Sequence, residues 1–314
     1  MRKTQTTWRR CWSQKWLRKF IAISLAVATT ICGVTVSNGW AAGSSKKPPR
    51  TKAAEKTTRP TEKMARKIEE AEGKTTATLK ELPKTVADNH PLKPCVVKAE
   101  ESLQAVKAIK DYSAVLFKQE MVQNKLLTQT MFSKFRHEPF SVYLKFEQPH
   151  AGREVIYVDG LNKGRLMGHD AGIRSLAGTV NYIPTSKEAM AENRYPITQA
   201  GMAKMVEAVI VQWQAAAQYQ EIVVKDFANV KVGEESCLML ETIHPQPREH
   251  FKFHKTRLYL HTVTKLPIRV EQYGWPEKEG GEPVLMEEYT YTQIKTNLGL
   301  TDIDFDKTNK AYQF

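Results

Sequence analysis

Between residues 111 and 296 the chain is a series of short runs rich in strand-forming residues, separated by brief turn sequences. Phe140–Glu147 shows the pattern most clearly, because Val142, Leu144 and Phe146 fall on one face and polar residues alternate with them. Consecutive strands joined by short turns pair in antiparallel fashion. The other predicted strands are Ser113–Gln123, Leu126–Arg136, Arg153–Asp159, Lys163–Gly168, Thr179–Ile183, Glu221–Val224, Val230–Val232, Ser236–Ile243, Glu249–His254, Thr256–Thr262, Pro267–Gly274 and Val284–Thr296.

Two further segments have a helical period. Pro91 and Pro94 open the first, and apolar residues then recur at helical spacing up to Ile109. The second, Ile197–Tyr219, carries a broad apolar stripe. Several strands are apolar on one face only, so the helices are expected to cover that face. The predicted fold class is α+β and mainly β: one strongly curved antiparallel sheet, an incomplete β-barrel, with helices packed on its concave side.

Net charge is distributed very unevenly along the chain. Residues 1–90 hold 19 Lys and Arg against 7 Asp and Glu, a net charge of +12 out of a total of +13. Residues 91–314 therefore hold 28 basic and 27 acidic residues, a net charge of +1. A near-neutral domain is not typical of nucleic-acid-binding proteins, so we expect no nucleic-acid partner.

Residues 1–42 have the three zones of a secretory signal peptide: a basic start, the uncharged run Phe20–Val36 and small residues at Ala41 and Ala42. The segment also fits an uncleaved N-terminal anchor, although the run of residues 20–36 is slightly short for a spanning helix of ~20 residues. Either interpretation exports the remainder of the chain to the periplasm or cell envelope. The anchor interpretation tethers it to the inner membrane through residues 20–36.

Residues 43–90 are rich in Lys, Arg, Thr, Pro and Ala, and we predict a basic disordered linker. The linker is either a solvated spacer or a contact to an anionic membrane or wall surface. Residues 91–314 are numerous enough for one domain with a single core.

Signals for chemistry are sparse in the predicted domain. It contains no G-x-S-x-G, phosphate-loop, dinucleotide-binding or H-E-x-x-H motif, so we expect no enzyme activity, metal or cofactor. His250 and His254 have the spacing of a zinc pair on a helix, but a strand would place their rings about 13 Å apart. Cys95 and Cys237 either form a disulfide in an oxidising compartment or remain isolated thiols.

Five stretches of the chain stand out as motifs: Asp111–Ala114, Arg136–Tyr143, Gly152–Asn162, Leu266–Arg269 and Tyr289–Phe305. They resemble motifs of a bacterial family of unknown function, DUF1571, and the resemblance spans residues 96–314. That family is similar in turn to the LolA/LolB/RseB group of envelope proteins, which are carriers, receptors or regulators. The resemblance implies an incomplete β-barrel closed on one side by helices, with an apolar hollow for acyl chains.

Candidate ligand-binding residues come from the predicted sheet and the second helix. Met side chains adapt to irregular partners, so the Met-rich helix is either a lid over the hollow or ordinary core packing. Arg153 and Glu154 point to opposite faces of their strand, so one charge faces inward and needs a partner. That residue is either part of a structural ion pair or a latch for the lid. The candidates are Arg153, Tyr143, Tyr157, Met202, Met205, Val209 and Trp213.

Three functions are compatible with the sequence. The first is an exported, non-catalytic protein that binds a lipid or an acylated protein in the apolar hollow. The second is an envelope interaction or sensory protein without a lipid ligand. The third is a hydrolase, which would require a pocket with two titratable groups within hydrogen-bonding reach.

Overall fold

The computed structural model describes residues 85–248, 251–278 and 280–314. The predicted signal or anchor and most of the predicted linker lie outside the described residues, as does His250 of the predicted histidine pair. Within the described ranges, no helix has the length and apolar character needed to cross a membrane. Val86 and His90, which belong to the predicted linker, are buried against the domain, and the His90 ring lies 3.0 Å from the Tyr219 carbonyl oxygen.

The described residues form one antiparallel sheet of eleven strands in the order β6-β5-β4-β3-β2-β1-β11-β10-β9-β8-β7. The sheet is not closed into a barrel, because β6 and β7 are its two edges. The predicted fold class is thus confirmed. The strands are β1 Asp111–Val122, β2 Lys125–Arg136, β3 Ser141–Gln148, β4 Glu154–Val158, β5 Leu166–His169, β6 Val180–Tyr182, β7 Val223–Val232, β8 Glu235–Ile243, β9 Lys255–His261, β10 Pro267–Gly274 and β11 Val284–Thr296.

The helices α1 Lys93–Lys107 and α2 Met202–Ala216 pack on one face of β8, β9 and β10. This inner face presents Leu240, Leu258 and Val270, which are buried in one core cluster with residues of both helices. Trp213 of α2 is fully buried there and donates its indole N–H to Thr242 Oγ1 at 3.1 Å. Burial of this apolar face is the main favourable contribution to folding in this half of the sheet.

The second helix begins five residues later than the sequence predicts. Residues Ile197–Gln199 form a single 3₁₀ turn, and α2 starts only after Gly201, which has φ +101°. A Cβ at Gly201 would lie 3.1 Å from Tyr112 Oη, which accepts the Met202 backbone N–H at 2.9 Å. The tyrosine thus satisfies a helix N-terminal donor that no local cap satisfies.

The outer face of β3–β5 is covered by the C-terminal segment, residues 297–314. Tyr312 stacks on Tyr143 with ring centroids 4.0 Å apart. Glu154, which is fully buried, accepts the Tyr143 hydroxyl at 2.9 Å and the Gln313 backbone N–H at 2.7 Å. Asp111 accepts the backbone N–H groups of residues 298 and 300 through its carboxylate.

Apart from shifts of one to three residues at strand ends, two stretches of predicted strand differ from the structure. The predicted strand Glu249–His254 is wrong in its described part, because residues 251–254 form a loop. Phe251 N–H donates to the Arg248 carbonyl at 3.1 Å, which turns the chain. The two short strands predicted between Glu221 and Val232 are one strand, β7, interrupted by a register shift at residues 227–230. Cys95 and Cys237 are both buried and both free.

Candidate functional site

A cavity of about 1030 Å³ lies between the inner face of the sheet, α2 and the segment that leads into α2. We call residues 184–201 the covering segment. It has no regular secondary structure beyond its 3₁₀ turn at residues 197–199, and it contributes lining residues from Pro184 to Gly201. The strands on the opposite wall are β1–β6, β10 and β11.

One part of the cavity wall is apolar. Leu116 lies opposite Met131, Met131 opposite Phe146, and Leu144 opposite Val155 in adjacent strands β1–β4. All of these side chains belong to the lining, and together they define what we call the apolar floor. Four apolar residues of α2 line the same cavity from the other side. They are Met205, Ala208, Val211 and Ala215.

The other part of the wall, which we call the polar end, carries charged and amide side chains on the same inner face. Lys118 and Glu120 follow Leu116 at two-residue spacing in β1, and Glu287 lies opposite Glu120 in β11. Gln129 lies opposite Lys118, and Gln272 lies opposite Glu287. The strand alternation that builds the apolar floor therefore continues directly into the polar end.

The polar end binds the covering segment to the sheet. Arg194 donates its backbone N–H to Glu120 Oε2 at 3.0 Å and its side-chain Nε–H to Glu287 Oε2 at 3.0 Å. Tyr195 donates its hydroxyl to Glu287 Oε2 at 2.9 Å. Lys118 bridges Glu120 at 3.2 Å and Asn193 Oδ1 at 2.5 Å. Because Glu120 and Glu287 are buried, these charge-assisted hydrogen bonds stabilise the position of the covering segment more than surface ion pairs would.

Burial raises the pKa of Glu287 above its usual value, an effect opposed by the positive charges of Lys252 and Arg194 and reinforced by Glu120. Burial also places the pKa of Tyr289 well above its usual range, and this hydroxyl donates to Glu120. Lys252 donates to the Tyr195 hydroxyl at 2.7 Å. Titratable groups therefore do lie within hydrogen-bonding reach in the cavity, and each is engaged with a neighbouring side chain.

Arg153 faces the cavity, and Glu154 faces the outer side of the sheet. The Arg153 guanidinium lies 2.5 Å from Asp170 Oδ1 and 3.6 Å from Glu192 Oε2 in the covering segment. The hydrogen bond from Arg153 lowers the pKa of Asp170. Arg153, the inward-facing charge, is thus paired with Asp170, which follows β5, and with Glu192 of the covering segment.

The structure distributes the seven predicted site residues over four environments. Arg153 and Met205 line the cavity. Tyr157 lines a second, smaller hollow of about 380 Å³ near Tyr112 and Phe140. Tyr143 lies on the outer face, and the fully buried core residues are Met202, Val209 and Trp213. Their part in ligand binding stays a prediction.

None of the residues of the polar end is among the site residues predicted from the sequence. Lys118 and Glu120 continue the inward-facing alternation of Tyr112, Ala114 and Leu116, so their orientation was readable from the pattern of β1. Their partners Arg194 and Glu287 are too distant in sequence to be paired with them in the same way. In the described ranges, no cluster of three or more His, Cys, Asp or Glu side chains could hold a metal ion.

Residues 109–314 match the family model described as protein of unknown function (DUF1571). The chain belongs to the DUF1571 family. The match covers the whole sheet and α2, but not α1, which precedes it. It confirms the resemblance expected from the motifs. Two of the family motifs have a clear structural setting: Asp111 holds the start of the C-terminal segment, and Gly152, at φ +86°, would crowd Ala171 if it carried a Cβ. A comparison with curated proteins finds no match.

Solved structures similar to this DUF1571 protein include three bacterial proteins. A DUF1329 family protein from Desulfovibrio piger is 14% identical, with 72% of this chain and 100% of that chain covered and a TM-score of 0.35. Lipoprotein LppX from Mycobacterium tuberculosis is 10% identical, with coverages of 68% and 99% and a TM-score of 0.40. A LolA superfamily protein from Nitrosomonas europaea is 11% identical, with coverages of 67% and 97% and a TM-score of 0.27. These likenesses are remote and assign no ligand.

Proposed function

We propose that this DUF1571 protein is an exported, non-catalytic binding protein that holds a lipid, or the acyl part of an acylated protein, in the cavity. The observation that carries the proposal is the cavity itself, whose sheet wall bears both the apolar floor and the polar end. Its volume of about 1030 Å³ lies at the upper end of the roughly 300–1,000 Å³ that is usual for ligand pockets.

The division of the wall suits an amphiphile. A hydrocarbon chain on the apolar floor would contact Leu116, Met131, Phe146 and Val155 and would itself leave water, which contributes about 25 cal/mol for each Å² of the chain that is buried. Met205 on the facing helix is a side chain that adapts its shape to different chains. The family resemblance implied such a hollow in the same place, between sheet and helices.

The polar end supports a binding role over a catalytic one. Tyr195, Glu287 and Lys252 lie in a chain of hydrogen bonds, which is the geometric requirement for acid–base chemistry. However, Glu287 also accepts Arg194, so the same groups hold the covering segment in place. Among the described lining residues, Thr198 is the one aliphatic hydroxyl, and no thiol is present. We infer that this network has a structural purpose.

Export follows from the N-terminal sequence. The basic start, uncharged core and small-residue end of residues 1–42 support delivery of the domain to the periplasm or cell envelope, with residues 20–36 as a possible tether. The net charge of +1 on residues 91–314 agrees with a ligand that is not a nucleic acid. The basic residues of the linker would keep the domain near an anionic membrane or wall surface.

Native mass spectrometry of the protein purified without detergent tests the proposal. We expect a fraction of the protein to carry one co-purified amphiphile, which organic extraction removes and added lipid restores. A protein that stays empty through several preparations, and that takes up no lipid after extraction, would favour the interaction or sensory function instead.

A further inference from the structure

The cavity wall carries many charges, and their balance limits what it can bind. Among the described lining residues the cationic side chains are Lys118, Arg153, Arg194, Lys204 and Lys252. The carboxylates are more numerous by one. They are Glu120, Asp170, Glu188, Glu192, Glu207 and Glu287.

Each of these cations already has a partner. Lys118 lies 3.2 Å from Glu120, and Arg194 lies 3.0 Å from Glu287. Arg153 is paired with Asp170, and Lys204 lies 3.0 Å from Glu207. Lys252 donates to the Tyr195 hydroxyl, with its ammonium 4.7 Å from the centre of the Tyr195 ring. At four of these five cations an incoming anion would therefore have to compete with a carboxylate that is already in place.

Two buried amide oxygens in the lining have no hydrogen-bond partner among the described residues. They belong to Gln129, which is 3% exposed, and Gln272, which is 4% exposed. The orientation of the Gln129 amide is fixed because its NH₂ group donates to Glu192 Oε2 at 3.3 Å, and a flipped amide would set oxygen against oxygen. The Gln129 oxygen is thus a free acceptor at the polar end.

These observations favour one class of head group over another. A phosphate or carboxylate would lose its hydration at the polar end, where the cations already have partners. A hydroxyl or amide N–H would instead satisfy an acceptor that is buried and unpaired. The saturated ion pairs at the polar end would remain intact.

We propose that the polar end takes an uncharged head group that donates hydrogen bonds, through hydroxyl or amide N–H groups, and discriminates against phosphate and carboxylate. This inference rests on the proposed function, because it specifies which amphiphile the cavity prefers. Gln129 is the specificity-determining residue that the structure assigns to this preference.

Three ligands with the same sixteen-carbon chain test the preference: a monoacylglycerol, the corresponding lysophosphatidic acid and the fatty-acid methyl ester. Each is titrated against the full exported chain by displacement of a fluorescent acyl probe. We expect the monoacylglycerol to bind about tenfold more tightly than the lysophosphatidic acid. Equal binding of all three would overturn the preference and leave the proposed function standing, whereas binding of none would contradict the proposed function itself. Tighter binding of the phosphate ligand would also overturn the preference.

The variant Gln129→Leu removes the acceptor oxygen together with the NH₂ group that donates to Glu192. We expect it to weaken monoacylglycerol binding about fivefold to tenfold and to leave methyl-ester binding unchanged, which also shows that the cavity is intact. Gln119→Leu is the matched control, because Gln119 lies on the opposite face of β1 and donates to Thr128 at 3.0 Å. An unchanged ratio of monoacylglycerol to methyl-ester affinity in Gln129→Leu would refute the assignment.

Discussion

At the residue scale, Gly201 determines where α2 can begin. Its φ of +101° is unfavourable for residues with a Cβ, and an added Cβ would also lie 3.1 Å from Tyr112 Oη and 3.2 Å from the Phe135 ring. We expect Gly201→Ala to lower the free energy of unfolding by about 1–3 kcal/mol, measured by urea denaturation. Gly160→Ala is the control, since Gly160 has φ +79° with nothing within 4 Å of the added Cβ. Equal losses in both variants would mean that crowding at Gly201 has no effect.

His244 is a residue whose burial should make stability depend on pH. It stacks on Phe251 with ring centroids 3.8 Å apart, and burial lowers its pKa from 6.5 to about 4, with a smaller contribution from His254. Between these values the unfolded chain binds a proton that the folded protein excludes. Stability should therefore fall as the pH decreases from about 6.5 to about 4, by up to roughly 3 kcal/mol from this residue.

Chemical denaturation at a series of pH values measures this dependence. His244→Phe keeps a flat ring against Phe251 and cannot titrate, so its stability should fall less steeply over the same pH interval. His261→Phe, which removes a histidine paired with Glu235 at 2.9 Å, serves as the control. A His244→Phe variant with the wild-type slope would show that this histidine is not the cause.

The contacts of a residue can be predicted from the sequence only when its partners lie near it along the chain. The opposite orientations of Arg153 and Glu154 follow from strand alternation alone, and the structure has them so. Their partners could not be predicted from the sequence. Asp170 and Glu192 lie close to Arg153, and Gln313 lies close to Glu154, only in the folded sheet. Tyr143 lies on the outer face of β3, and the pattern of that strand does not reveal that the C-terminal segment covers this face.

At the scale of elements, the buried ion pair Arg194–Glu287 and several hydrogen bonds hold the covering segment. Replacing Glu287 with Ala removes the partner of Arg194 and Tyr195 at the polar end. We expect hydrogen exchange in residues 184–201 to become at least tenfold faster, because breaking a buried pair commonly costs about 3–5 kcal/mol. The amides of β8 and β9 should keep their wild-type protection.

The neighbouring residue provides the control for this experiment. Glu288 lies on the opposite face of β11 and pairs with Arg269 at 3.2 Å. Glu288→Ala should leave exchange in the covering segment unchanged. If Glu287→Ala instead accelerates exchange uniformly across the domain, the pair stabilises the whole fold and does not specifically hold the covering segment.

The regular elements were predictable, and the irregular ones were not. Strands β8, β10 and β11 lie where alternation and turn residues predict them. The covering segment has no period to recognise, so its contribution to the cavity emerges only from the structure. The predicted start of α2 is too early because Ile197 is apolar and Thr198 is a typical N-cap residue, whereas the backbone at Gly201 breaks the helix.

At the scale of the whole molecule, α2 both closes the core and forms a wall of the cavity. One side of the helix, including Val209 and Trp213, is fully buried against β8–β10. Met205 and Val211 line the cavity. Met202, Val209 and Trp213 are thus core residues of α2, and the lid interpretation of the Met-rich helix stays a prediction.

The central claim is that the cavity holds an acyl chain, and a pair of matched variants tests it most directly. Val211 lines the cavity and is 42% exposed, whereas Val97 of α1 is 38% exposed and lies outside the lining. Val211→Trp should fill part of the cavity and weaken the binding of a fluorescent acyl probe at least tenfold, with Val97→Trp at the wild-type affinity. Equal probe affinity in the two variants, with both folded by circular dichroism, would contradict the claim.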